Sequence, residues 1–85
     1  GYLEEDVQVS AADLIENVLE RDSMTRAIQN MEIHDRELII LYYYQELSMK
    51  EVAQVIGKSE NVTIQRMNRA RKRLKKILME VGYGT

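Results

Sequence analysis

The sequence has no cysteine, no proline and a single histidine, and two of its four glycines, Gly82 and Gly84, fall among the last four residues. Without cysteine there is no disulfide framework and no thiolate metal site, and nothing points to an oxidising compartment. Without proline no segment carries an obligatory helix break. No apolar run approaches the roughly 20 residues that a membrane-spanning helix requires. The opening stretch GYLEEDVQVS is acidic where a signal peptide would be basic and then apolar. These absences lead to the expectation of a soluble, cytoplasmic chain with no membrane partner.

Catalytic patterns are missing as well. No glycine-rich phosphate loop, nucleophile elbow or metal-ligand spacing occurs, so neither enzyme activity nor a metal or cofactor is expected. His34 stands alone and reads as a helix-start residue rather than a ligand. Glu4, Glu5 and Asp6 sit in a segment with no periodic apolar partner, where nothing would raise a carboxyl pKa.

What is present is helical patterning and uneven charge. The 85 residues make one small domain with a thin core. Net charge is only −2, yet residues 1–20 carry six acids and no base, whereas residues 58–76 carry eight bases against Glu60 alone. Such asymmetry points to a polyanion-binding end, although a basic run by itself is more often a solvated helix face. Three parts are expected: a flexible acidic linker or tail over 1–9, a domain over 10–81, and a disordered tail over 82–85.

Within the domain the spacing predicts an all-α architecture of four to five helices. Ser10 and Asp13 form a capping-box pattern ahead of Leu14, Ile15, Val18 and Leu19. Met24, Ala27, Ile28 and Met31 continue the helical spacing, with Arg21-Asp22-Ser23 either breaking the helix or crossing its polar face. A next helix is expected over about 34–46. At about 100° per residue, Leu41 shares a side with Leu38, Tyr44 and Gln45, and Ile39 and Tyr43 face the opposite way. Ser48 and Glu51 form a second capping box, Gly57 suits the left-handed residue that closes a helix, and Ser59 caps a long last helix. A short helix whose Val52, Ala53, Val55 and Ile56 pack against a basic one across a tight turn is a helix-turn-helix.

The stretch IHDRELIILYYYQELSMKEVAQVIGKSENVTIQRMNRARKRLKKIL closely resembles region 4 of bacterial RNA polymerase sigma factors. The matching elements are Arg36-Glu37, Tyr43-Tyr44, Leu47-Ser48, Glu51-Val52-Ala53, Gly57, Ser59 and Arg69 to Leu74, in register without a gap. The resemblance implies recognition of the promoter −35 element and attachment to the flap of the polymerase β subunit. Two departures stand out. Most members of the stress-response group read Thr-Val where this chain reads Val62-Thr63, so a threonine takes the slot that should bury a valine. The promoter-melting half of a sigma factor is also absent, as expected of an excised domain or of a protein that borrows only this half.

On the last helix Thr63, Met67, Ala70, Leu74 and Val81 share the core side. The opposite side supplies the expected DNA contacts. Gln65 and Asn68 suit adenine, Arg69 suits guanine, and Val62 or Ile64 suits a thymine methyl. Lys58, Lys72 and the helix starts at Ser48 and Ser59 suit phosphates, and Lys50, Asn61 and Arg66 complete the candidate DNA-binding set. Ile39, Tyr42 and Tyr43 are the candidate partner site, because a domain this small has too little protein to bury both sides of their helix; the alternative is that the N-terminal helix folds back and covers this side completely. Two other readings remain open: a stand-alone helix-turn-helix regulator, and a module that binds polymerase or an anti-sigma factor without touching DNA. In isolation a monomer is expected.

Overall fold

The computed structural model describes residues 11–80, which form five α-helices, a π-helical turn and no strand. Helix α1 spans 11–18 and buries Ala11, Ile15 and Val18, spaced four and three residues apart on one face. The Ser10 cap, Val81 and the two expected tails lie outside the described residues. The helix does break, just ahead of Asp22 and Ser23, which open the next one. The chain turns at 19–21, and α2, Asp22–Gln29, starts after Arg21, which has extended backbone and no side-chain cap. Met24, Ala27 and Ile28 turn inward from α2, with Met31 buried just beyond it.

Helix α3, Ile33–Ile39, is capped by Glu32, whose carboxylate accepts from the backbone N–H groups of His34 and Asp35. His34 is at the helix start, exposed, with Nδ1 at 2.7 Å from Glu32 Oε1. The helix then widens into a π turn over Ile40–Tyr44, in which Gln45 N–H donates to Ile40 O at 3.0 Å, five residues back. Glu46 closes it with a left-handed φ of 58°, and Leu47 N–H donates to Leu41 O at 3.1 Å.

This turn corrects the helical wheel drawn from the sequence. Leu38, Ile39, Leu41 and Tyr43 are all buried, with Ile39 at 0% exposure, whereas Tyr44 is 43% exposed. In a π turn each residue advances roughly 85° rather than 100°, so Tyr44 rotates off the Leu41 side. The Tyr44 hydroxyl donates to Leu19 O at 2.8 Å, tying the end of the first helical segment to the π turn. Ile15 and Val18 of α1 belong to the same contiguous core as Ile39 and Tyr43. Of the two expectations for this side, the exposed patch is overturned and coverage by the N-terminal helix holds, with Ile39 and Tyr43 buried in one core with Ile15 and Val18.

Helix α4, Met49–Ile56, and helix α5, Glu60–Glu80, complete the fold. Helix α5 is the spine, packing against α2, α3 and α4. Its buried side is Thr63, Met67, Ala70, Leu74 and Leu78; Leu78 extends the expected stripe by the four-residue step from Leu74. Of the methionines, Met24, Met31 and Met67 are core and Met49 is half-buried, but Met79 is 42% exposed and fills no gap.

Candidate nucleic-acid interface

The turn between α4 and α5 is built from local signals. Ser48 Oγ accepts from Glu51 N–H at 3.1 Å, and Ser48 N–H donates to Glu51 Oε1 at 2.9 Å, completing the capping box. Those hydrogen bonds hold the Glu51 carboxyl below the ordinary glutamate range. They also occupy the N–H groups of Ser48 and Glu51. Gly57, with φ 72°, closes α4. A Cβ there would meet nothing within 4 Å, so glycine is required by the backbone angle rather than by crowding. Ser59 Oγ then accepts from Val62 N–H at 3.2 Å and starts α5.

Val52 and Ala53 are buried in α4 and Ile56 is half-buried, but Val55 is 58% exposed and is not part of the packing against α5. It sits past the edge of the apolar stripe in the last turn. The Val62-Thr63 departure has a physical resolution. Thr63 is fully buried, and its hydroxyl donates to Ser59 O at 2.8 Å, so the hydroxyl that replaces a methyl here is paired. Val62 is 37% exposed on the outer side beside Ile64 at 39%.

Most of the candidate DNA-binding side chains are presented together. Lys58, Ser59, Asn61, Val62, Ile64, Gln65, Arg66, Arg69 and Lys72 are exposed along the turn and the outer face of α5, and Lys50 is exposed on α4. Arg66, Arg69 and Lys58 line one flank, in a cleft of about 800 Å³ that also holds Glu32, Asp35 and Glu37 of the α3 segment. The acids temper the positive field on that flank. Asn68 differs from its neighbours: it is half-buried, and its Oδ1 accepts from Arg71 at 3.0 Å.

The basic run of α5 proves to be divided in purpose, which sequence reasoning missed. Arg71 donates from Nε to the Tyr43 hydroxyl at 2.8 Å and lies 5.2 Å from the Tyr42 ring centroid. Burial pushes the Tyr43 phenol up, opposed by the nearby Arg71 charge. Arg73 donates to both carboxylate oxygens of Asp35, which is only 7% exposed. These two arginines bind the domain together, while Arg66, Arg69, Lys72 and Lys76 of the same helix are exposed. No signal in a row of bases separates the two uses.

A second concavity, of about 570 Å³, lies between the end of the first helical segment and the π turn. Leu19, Tyr42, Leu47 and Met49 supply apolar surface, with Glu16, Glu46 and Glu51 also lining it. Of the three candidate partner-site residues, Tyr42 is half-buried and lines this groove; Tyr43 is buried but reaches its wall, and Ile39 is core. Among the described residues no cluster of His, Cys, Asp or Glu could hold a metal ion, and no helix is long and apolar enough to cross a membrane.

Comparison with known proteins bears on the whole of this arrangement. The family described as Sigma-70, region 4 matches residues 21–74, which run from the start of α2 through the turn to the middle of α5. No curated protein and no solved structure matches the chain. The matched span contains the capped helix-turn-helix, and the family is one of DNA-binding regulatory domains acting with RNA polymerase at promoters. With that match covering well over half its length, the chain belongs to the sigma-70 region 4 family.

Proposed function

We propose that this domain recognises the promoter −35 element through the outer face of α5 and attaches to the β flap of RNA polymerase through the groove beside the π turn. The observation that carries the DNA reading is the placement of Asn61, Gln65, Arg69 and Lys72 on the solvent side of a helix locked in place by two caps and a left-handed glycine. Amide and guanidinium groups pair with base edges, and the lysines meet phosphates. Near the start of α5, Val62 and Ile64 are suited to thymine methyl groups.

The flap reading is carried by the groove lined by Leu19, Tyr42, Leu47 and Met49. Its apolar floor suits a partner helix presenting apolar side chains, and its acids favour a partner with basic residues at the edges. Ile39 and Tyr43 contribute by supporting the groove from beneath. Selection of bound sites from random duplex DNA, repeated with a flap peptide present, tests both halves. Enrichment of one short motif, tightened by the peptide, is expected. Absence of any enriched motif overturns the DNA reading, and a peptide whose binding is unaffected by Tyr42→Ala overturns the groove assignment.

A further inference from the structure

Asn68 is half-buried on α5, and its hydrogen-bonding capacity is already partly used. Arg71 NH1 donates to its Oδ1 at 3.0 Å. A guanidinium has donors and no acceptor, so the amide must turn its oxygen to Arg71 and its NH2 away. The arginine is itself fixed twice over. Its Nε donates to the Tyr43 hydroxyl, and the guanidinium carbon lies 5.2 Å and 5.7 Å from the centroids of the Tyr42 and Tyr43 rings. Those rings brace one another edge to face at 5.0 Å.

We propose that Arg71 is a specificity-determining positioning residue, which holds Asn68 with its NH2 outward so that this position of the recognition helix reads a hydrogen-bond acceptor in the major groove. Pairing with adenine needs both ends of a side-chain amide, the oxygen accepting from N6 and the nitrogen donating to N7. With its oxygen turned toward Arg71, Asn68 presents its NH2 to the groove and cannot make the two-ended pairing with adenine. The acceptors open to that NH2 are N7 and O6 of guanine, O4 of thymine and N7 of adenine, the last flanked by an N6 donor that then finds no acceptor on Asn68. Asn68 therefore loses the preference for adenine that an unrestrained asparagine would have, and favours guanine or thymine. The inference rests on the promoter reading and adds to it a rule for one base pair, set by a residue that itself faces the π turn.

Site selection on the domain and on three variants tests the proposal. Asn68→Ala should erase preference at a single base pair, by at least about fivefold, the lower end for one base contact. Arg71→Met should move preference at that same pair from guanine or thymine toward adenine. In the Asn68→Ala background, Arg71→Met should change nothing further at that pair, although lost charge lowers affinity for all sites alike. Tyr43→Phe keeps the ring and the charge but frees Nε, and should give a smaller shift in the same direction even if Arg71→Met fails to fold. A wild-type domain that enriches no motif overturns the promoter reading together with this one. A wild-type motif that Arg71→Met and Tyr43→Phe leave unchanged, or that shifts equally without Asn68, overturns this proposal alone.

Discussion

Asp35 in the first turn of α3 and Arg73 in α5 are 38 residues apart in sequence and meet through two hydrogen bonds of 2.9 and 3.1 Å. The carboxylate is nearly buried while the arginine side chain is 61% exposed, so solvent screens one partner only. A charge-assisted hydrogen bond contributes about 1.5–3 kcal/mol when shielded, and exposure of Arg73 reduces that to about 1 kcal/mol. Arg73→Ala is expected to lower stability by that amount in denaturant unfolding, and Asp35→Ala by a similar one. An additive double mutant would show that the two side chains act independently.

Ile39 gives the sharpest test of the fold. It is fully buried, so Ile39→Ala should cost about 2–5 kcal/mol, and Ile39→Asp should unfold a domain of this size outright. Thermal unfolding monitored by circular dichroism distinguishes this from a surface site, where either change would leave the midpoint within a few degrees.

The capping box at Ser48 makes a pH-dependent contribution. Ser48→Ala should cost about 1 kcal/mol. The Glu51 carboxyl is depressed by its hydrogen bonds to Ser48, and that of Glu32, which caps α3, first by its hydrogen bond to His34. A folded-state value below the unfolded one means a contribution fully present at neutral pH and lost as pH falls below the ordinary glutamate value through the depressed one. Glu51→Gln should flatten the acid limb of a stability-against-pH curve; an unchanged limb would remove Glu51 from the cap.

For the DNA face, the expected signature is a division between base preference and salt dependence. Gln65→Ala and Arg69→Ala should alter the selected sequence. Lys72→Ala should weaken binding to every sequence alike and reduce the slope of log K against log salt by about 0.9. Fluorescence anisotropy across a salt series measures both, and a preference change from Lys72→Ala would contradict the assignment.

Much of the helix-turn-helix was legible because its signals are local. A serine three residues before a glutamate, a glycine after an apolar stripe and a serine ahead of a basic run act through bonds spanning three to five residues, and each is found where the sequence suggests. The 38–44 segment was not legible. Its two opposite faces are both buried, because the first helix joins the core on the Ile39 and Tyr43 side, while the π turn moves Tyr44 off the Leu41 side and Glu46 adopts a left-handed angle that glycine or asparagine would ordinarily signal.

The fate of the arginines marks the division most clearly. Composition and helical period determined that α5 carries a basic face opposite Thr63, Met67, Ala70 and Leu74, because both depend only on residue order along one helix. Which arginines bond to other elements of the domain and which do not was decided by where Asp35 and Tyr43 arrive, and those come from another helix and a turn. Ion pairs and ring contacts between elements depend on packing angles and on the burial of their partners, so Arg71 and Arg73 acquired their roles only once α3 and the π turn had folded against α5.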